Sequence, residues 1–283
     1  MPASLRRCAS GLAFGLTACA LPVSAATASP NPDAFDLAAA FAPAPVPGGA
    51  IVTGVFTEAS SPTQLGTFTD GALTVGFADG IVLSTGDVGA LGGASPLSVG
   101  FAGTPSSDTE ALLAQIPGLG SVYADPVRLS LAVQPDLPNN YVNFSFGYQT
   151  SEISPADRFG LFVNGQYRGL LAGQPVDQAH PWLAAAVPDI GYTQALYGGG
   201  NPLNPPAFVL SVAVPSPGAS FTLDLVLADV FGDGIDTAVF LGNFTASARP
   251  MGYLAIPESR AWPLVASGGV AAFAWWHRRR RQA

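Results

Sequence analysis

Strict alternation of apolar and polar side chains is the feature that most limits how this chain can fold. The clearest stretch is residues 141–149, whose apolar positions are Val142, Phe144, Phe146 and Tyr148. Polar or small residues occupy every position between them. Because successive side chains of a β-strand point to opposite faces, this pattern predicts a strand with one buried face.

The same pattern recurs along the chain. It is found at 127–133, 159–163, 208–214 and 221–227, and more briefly at Leu73, Val75 and Phe77. The 33 glycines and 26 prolines favour turns and short strands over long helices. We therefore predict an all-β fold: an antiparallel, jelly-roll-like β-sandwich, each of whose sheets has one buried face.

One or two short helices are expected within this β-rich body. The segments Ala34–Phe41 and Ser107–Gln115 are the candidates, and the second carries Asp108 and Glu110 near its start. Residues 172–206 interrupt the alternation and are rich in glycine and proline. They are predicted to form a long surface loop.

The charge of the chain is unevenly distributed. All 11 basic residues are arginines, and residues 26–258 hold four of them against all 19 acidic residues, a formal charge of −15. An acidic body repels phosphate backbones, which argues against a nucleic-acid partner. The charge suits solubility, or an interaction with divalent cations.

The first 26 residues predict export. Arg6 and Arg7 precede an apolar stretch at 9–21, and small residues follow it. This order of charge, apolar core and small residues is typical of a secretory signal peptide, with an N-terminal signal helix and cleavage at Ala25 or Ala26.

The cysteines leave a second interpretation of this segment open. Only Cys8 and Cys19 occur, so the body would have neither a disulfide nor thiol chemistry. Residues 16–19 are similar to a lipoprotein signal, which would place a lipid on Cys19.

The C-terminal segment combines an apolar run with concentrated positive charge. Residues 261–276 would form a transmembrane-like helix about 24 Å long. This is shorter than the apolar core of a bilayer, about 30 Å. The cluster Arg278, Arg279, Arg280 and Arg281 would hold its end in the cytoplasm and place the body outside the inner membrane.

Just before this run stand Pro257, Glu258 and Ser259. Motif, apolar helix and terminal arginines together resemble the PEP-CTERM sorting signal of Gram-negative bacteria, although Ser259 occupies the position of the second proline. The resemblance implies recognition by an exosortase-type processing enzyme, a transient stay in the inner membrane, and delivery to the cell surface or extracellular matrix. A plain C-terminal anchor is the alternative.

Several short blocks of the body resemble a second family, the choice-of-anchor L domain. They lie, in the family's order, at 80–88, 143–152, 157–165, 227–230 and 236–241. The resemblance covers residues 34–247 and implies an extracellular, β-rich domain without known enzymatic activity.

These observations divide the chain into four regions. They are a signal peptide at 1–26, a β-sandwich domain at 27–247 whose first part (27–48) combines linker and short helix, a linker at 248–255, and a sorting signal at 256–283.

Acidic residues near strand ends suggest a calcium site. Calcium binds six to eight oxygens, mostly from carboxylates and loop carbonyls. The candidate ligands are Glu152, Asp157, Asp229, Asp233 and Asp236. The alternative is structural: the glycines around Asp233 form a turn that the aspartates cap.

No motif indicates catalysis. The sequence has no serine nucleophile elbow, zinc-binding helix or phosphate-binding loop, and the one histidine of the body, His180, precedes a proline in the predicted loop. We predict that the chain is not an enzyme. A glycan hydrolase that uses two carboxylates remains the less favoured alternative.

The predicted function is therefore that of an exported, non-catalytic protein of the cell surface or extracellular matrix. It would be structural or adhesive in an exopolysaccharide-rich envelope such as a biofilm, with exopolysaccharide as a candidate partner. The main alternative is a secreted carbohydrate-binding module, in which Trp182, Tyr192 and Tyr197 of the loop stack on sugars.

Overall fold

The structure is a computed structural model. It describes residues 27–73, 75–91, 101, 103–117, 123–150, 157–171, 174–175, 208–229 and 237–255. Most of these residues lie in two β-sheets that pack face to face. The predicted β-sandwich with two short helices is confirmed. The predicted signal helix and transmembrane-like helix lie outside the described residues.

The larger sheet has seven strands. In spatial order they are β1 (Thr27–Pro30), β3 (Leu65–Thr69), β4 (Gly80–Ser84), β13 (Thr237–Ser247), β6 (Tyr141–Thr150), β11 (Phe208–Ala213) and β14 (Tyr253–Ala255). Every pair is antiparallel except β11 and β14, which run parallel.

The smaller sheet has five antiparallel strands. They are β2 (Ala50–Ala59), β5 (Ala124–Pro135), β12 (Phe221–Asp229), β7 (Arg158–Val163) and β8 (Gln166–Tyr167). Residues 172–206, the predicted loop, are described only at β10 (Gln174–Pro175), which pairs with β9 (Leu170–Leu171).

The core lies between the two sheets and consists of the alternating residues that the sequence singles out. Val142, Phe144 and Phe146 of β6 are fully buried there. Val127, Leu129, Leu131 and Val133 of β5 face them and are fully buried as well. Burying an apolar side chain of this size is worth about 1.5–3 kcal/mol, so this interface supplies most of the driving force for folding.

Both sheets are also covered in part on their outer faces, which the prediction of one buried face per sheet missed. Phe68, Val82 and Phe240 form a second cluster outside the seven-stranded sheet. Phe162 and Val226 lie under α2 (Ser107–Leu113), outside the five-stranded sheet. Where an extra layer covers a central strand, both faces of the strand are buried, and its sequence is therefore a continuous apolar run.

Helix α1 (Ala34–Phe41) has the bounds predicted from the sequence. It begins where the Asp33 carboxylate accepts hydrogen bonds from the backbone amides of Phe35 (2.8 Å) and Asp36 (3.0 Å). Phe41, near its end, is fully buried and its ring packs against those of Phe144 and Phe244. The helix thus closes one side of the sandwich.

The prediction of a strand around Leu73, Val75 and Phe77 is wrong. Residues Gly71–Leu73 form a 3₁₀ turn, and the backbone amides of Val75 and Gly76 both donate to the carbonyl of Gly71. Gly76 has a φ of 91°, which L-residues rarely adopt. Val75 and Phe77 are buried in the outer cluster of the seven-stranded sheet, so their alternation reflects burial without a strand.

Residues 248–255, predicted as a linker, include strand β14. The turn before it is fixed by Ser211, whose Oγ accepts hydrogen bonds from the amides of Met251 (3.0 Å) and Gly252 (2.9 Å). Asn143 Oδ1 accepts from the same Ser211 hydroxyl at 2.7 Å. This part of the chain is therefore integrated into the sheet up to Ala255.

Candidate functional site

Buried polar side chains gather at one end of the sandwich, here called the polar end. The strands β4 and β12 finish there, and β5, β7 and β13 begin there. Its side chains are each at most 4% exposed: Gln64, Thr85, Asp125, Asp157, Asp229 and Thr237. Because burial of polar groups is costly unless they are hydrogen-bonded, the cluster must be held by specific contacts.

One set of contacts joins the larger sheet to β7. The hydroxyl of Thr85, just after β4, donates to Asp157 Oδ2 at 2.7 Å. The backbone amide of Thr237 donates to the same Thr85 hydroxyl at 2.9 Å, and the Thr85 amide donates to the carbonyl of Thr237 at 3.0 Å. Tyr148 adds a bond from its hydroxyl to the carbonyl oxygen of Asp157 at 3.0 Å. Asp157 is thus fixed through both its side chain and its backbone.

A second set is centred on Gln64, which ends a 3₁₀ turn just before β3. The turn begins with a capping box. The Ser61 side chain accepts hydrogen bonds from backbone amides of the turn, and the Gln64 side chain accepts one from the Ser61 amide. Gln64 Nε2 donates to the carbonyl oxygens of Thr85 and Asp125, each at 3.0 Å. The side chain therefore links the end of β4 in one sheet to the start of β5 in the other.

Asp125 occupies an unusual position in this set. Its φ of 48° lies in the left-handed region, which aspartate tolerates better than most residues. Its carboxylate accepts hydrogen bonds from the amides of Phe101 (2.9 Å) and Gly103 (3.1 Å). Burial raises the pKa of Asp125, and these two amide bonds reduce the rise without cancelling it. The carboxylate holds Phe101 and Gly103 against β5.

The structure describes two of the five calcium candidates. Asp157 immediately precedes β7 and Asp229 ends the adjacent strand β12, so the two lie at the same end of the sheet. Glu152, Asp233 and Asp236 lie outside the described residues. Within the described ranges, no three histidine, cysteine, aspartate or glutamate residues are grouped so that they could hold a metal ion. Calcium binding stays a prediction.

A second polar network, the Glu58 network, lies on the outer face of the five-stranded sheet and was not anticipated from the sequence. The carboxylate of Glu58 in β2 accepts from the Ser106 amide (2.7 Å), the Ser106 hydroxyl (2.8 Å) and the Thr109 hydroxyl (2.6 Å). These bonds attach the start of α2 to β2, and Ser106 is also the cap of that helix.

Arg128 of β5 continues this network across the sheet. Its Nε and Nη2 both bond to Asp224 Oδ1, at 3.1 and 2.8 Å, in an ion pair that is largely buried. Nη1 reaches the Thr109 hydroxyl at 3.3 Å, and the guanidinium lies 5.6 Å from the centre of the Phe56 ring. The Arg128 side chain thus links residues of three strands and one helix.

The pKa of Glu58 reflects these bonds. Partial burial alone would raise it, but the hydrogen bonds from Thr109 and Ser106, with the positive charge of Arg128, outweigh burial and lower the pKa. Glu58 therefore remains ionised at neutral pH and serves as an anchor for α2.

The remaining sequence-predicted sites lie outside the described residues. They are the cleavage residues Ala25 and Ala26, the motif Pro257, Glu258 and Ser259, the cluster Arg278, Arg279, Arg280 and Arg281, the lipidation candidate Cys19, and the loop residues His180, Trp182, Tyr192 and Tyr197. Among the helices that the structure describes, none has the length and apolar character needed to span a membrane.

Comparisons with known proteins assign no family to the chain. No protein-family model matches the chain, and no curated protein is significantly similar to it. Among solved structures, a carbohydrate-binding module specific for non-crystalline cellulose is similar at 16% identity, with 71% of this chain and 89% of that chain covered and a TM-score of 0.31. The secreted serine protease VesC from Vibrio cholerae is similar at 12% identity, with 71% of this chain and 49% of that chain covered and a TM-score of 0.25. The chain thus spans about half the length of that protease.

Proposed function

We propose that the chain is an exported, non-catalytic domain of the bacterial cell surface or extracellular matrix, carried there by two removable terminal signals. One observation carries the proposal. Strands β1 and β14 both pair within the seven-stranded sheet, so the described β-sandwich includes chain on the inner side of each predicted signal. Removing both signals would therefore leave every described strand and helix in place.

The roles of the buried acids support the non-catalytic part of the proposal. Asp125 holds two backbone amides, Asp224 pairs with Arg128, and Asp157 receives the Thr85 hydroxyl. A carboxylate that acts on a substrate must reach the reacting atoms from a cleft. These three acids are at most 3% exposed and are used in joining strands and loops.

Processing of the tail is tested by mass spectrometry of the mature C-terminus together with cell fractionation. The full-length chain is expressed in a Gram-negative host that contains an exosortase-type enzyme and in a matched strain that lacks it. We expect a terminus near residues 257–259 and an extracellular body in the first strain only. An intact tail in the inner membrane of both strains would contradict the proposal.

A matched pair of variants makes this test specific. Glu258→Ala should block trimming and leave the tail attached. Glu110→Ala removes an exposed acid from α2 and should be trimmed like the native chain. Equal trimming of the two variants would show that residues 257–259 are not the recognition point.

A further inference from the structure

Strand β2 differs from the other edge strands that the structure describes. The seven-stranded sheet ends in β1 and β14, of four and three residues, and the five-stranded sheet ends in β2 and β8. Strand β8 has two residues, whereas β2 has ten and pairs, among the described residues, with β5 alone. A long edge strand presents unpaired backbone amides and carbonyls to any chain that can extend beside it.

A groove runs along this strand. It has a volume of about 420 Å³ and lies between β2, α1 and the chain segment that joins them. On the helix side its wall is made of Ala38, Ala39 and Ala42, whose small side chains leave space beside the strand. The volume is within the range typical of ligand pockets.

The lining of the groove is apolar and partly exposed. Phe35 is 76% exposed and Ile51 is 57% exposed, although both are large apolar side chains. The polar side chains among the lining residues are those of Thr53 and Asp136. A glycan would need many more hydrogen-bonding partners, so the lining favours apolar side chains of a polypeptide.

The charge around the groove is negative. Asp136 is the charged residue in its lining, and Asp33 and Asp36 flank Phe35 at the start of α1. No arginine lines the groove among the described residues. A second copy of this chain would bring a body of formal charge −15 against the same surface, which disfavours self-association.

We propose that the groove binds an extended, positively charged peptide segment of another protein. The segment would add a strand to the edge of β2 through backbone hydrogen bonds, with alternate apolar side chains beside Ala39 and Ile51 and an arginine or lysine near Asp136. Backbone pairing supplies the affinity of such a complex, and the groove supplies its preference for apolar and basic residues.

The test uses an array of nine-residue peptides, probed with the full-length chain. Each peptide has valine, leucine or phenylalanine at alternate positions and arginine, threonine or glutamate between them. We expect arginine-containing peptides to bind and their glutamate counterparts to bind at least tenfold more weakly. If no peptide binds, or if the two kinds bind equally, the proposal is overturned.

Two variants locate the binding. Ala39→Trp fills the groove from an exposed position of α1 and should weaken binding of the best peptide at least tenfold. Ala111→Trp makes the same change at an exposed position of α2 and should leave the affinity within twofold. Asp136→Asn removes the charge with little change of shape and should weaken arginine-containing peptides about threefold or more. Unchanged affinity in both Ala39→Trp and Asp136→Asn would overturn the proposal.

Hydrogen exchange and sedimentation complete the test. The bound peptide should slow amide exchange at 50–59 and leave exchange at 253–255 unchanged. Protection at 253–255 instead would assign the peptide to another edge. A dimer of the native chain that Ala39→Trp abolishes would show that a second copy occupies the groove, which also contradicts the proposal.

Discussion

The side chain of Gln64 donates a hydrogen bond to the carbonyl oxygen of Asp125 at 3.0 Å, and this bond crosses from one sheet to the other. The same Nε2 also bonds to the carbonyl of Thr85, and the Gln64 side chain is fully buried. Since Thr85 follows β4 and Asp125 lies at the start of β5, this amide joins the two sheets at the polar end, together with the Thr85–Asp157 bond.

Gln64→Leu should therefore destabilise the protein strongly. The substitution nearly keeps the volume but leaves two buried carbonyls without this donor, and we expect a loss of about 2–4 kcal/mol. Urea unfolding followed by circular dichroism measures it. Gln134→Leu is the matched control, because Gln134 is exposed, and it should cost about 0.5 kcal/mol or less. Similar losses for the two variants would contradict the role assigned to Gln64.

The Glu58 network predicts a specific pH dependence. The pKa of Glu58 is lowered from its ordinary value of 4.5. Ionised Glu58 therefore stabilises the fold above pH 4.5, and this stabilisation is lost as the pH falls through the lowered pKa of the folded state. Glu58→Gln should cost about 1 kcal/mol at pH 7, since the site is only partly buried. The difference from the native chain should shrink as the pH falls through this lowered pKa, because native Glu58 then becomes protonated. A difference that stays constant with pH would exclude this explanation.

Helix α1 should depend on one aromatic residue. Phe41→Ala removes a fully buried ring that packs on Phe144 and Phe244, and the cavity should cost about 3–5 kcal/mol. Phe35→Ala in the same helix removes a ring that is 76% exposed and should change stability by about 0.5 kcal/mol or less. Thermal unfolding of the two variants distinguishes core packing from the exposed groove wall.

The local stability of residues 251–255 should depend on Ser211. Ser211→Ala removes the acceptor of the Gly252 amide and one of the two acceptors of the Met251 amide, which also donates to Asn143 Oδ1 at 3.2 Å. We therefore expect faster hydrogen exchange at 251–255 and earlier proteolysis in that segment. Ser220→Ala is a suitable control, because Ser220 is an exposed serine whose hydroxyl bonds to the Gln134 side chain at 3.5 Å. Unchanged exchange at 251–255 would show that pairing between β11 and β14 suffices to hold the segment.

Calcium binding is tested by calorimetry with added calcium and with chelator. If Asp157 and Asp229 belong to a site with Glu152, Asp233 and Asp236, calcium should raise the melting temperature by several degrees, because a ligand that binds only the folded state stabilises it. Asp229→Asn should remove that increase. An unchanged melting temperature in the native chain would rule the site out.

Much of the fold could be predicted because its signals are local. Alternation within 141–149 and 221–227 identifies β6 and β12, and the predicted helix at Ala34–Phe41 is α1. The 3₁₀ turn at Gly71–Leu73 was missed because alternating burial, as at Val75 and Phe77, also arises where a loop packs on an outer face. Pattern alone does not distinguish the two cases.

The polar contacts could not be predicted, because they join residues far apart in the chain. Gln64 and Asp125 are 61 residues apart, and Arg128 and Asp224 are 96 apart. The sequence around each of these four residues does not indicate its partner. The groove beside β2 is likewise a product of packing, since its two walls come from a helix and a strand whose relative position is set by the core.

The contrast among the edge strands has a consequence for engineering. A long strand edge can pair with an added extended segment, and among the edge strands that the structure describes β2 is the longest. A lysine or proline placed at one of its exposed positions would be enough to make this side inert. The same strand is the natural attachment point for anyone who wishes to graft a new β-hairpin onto the scaffold.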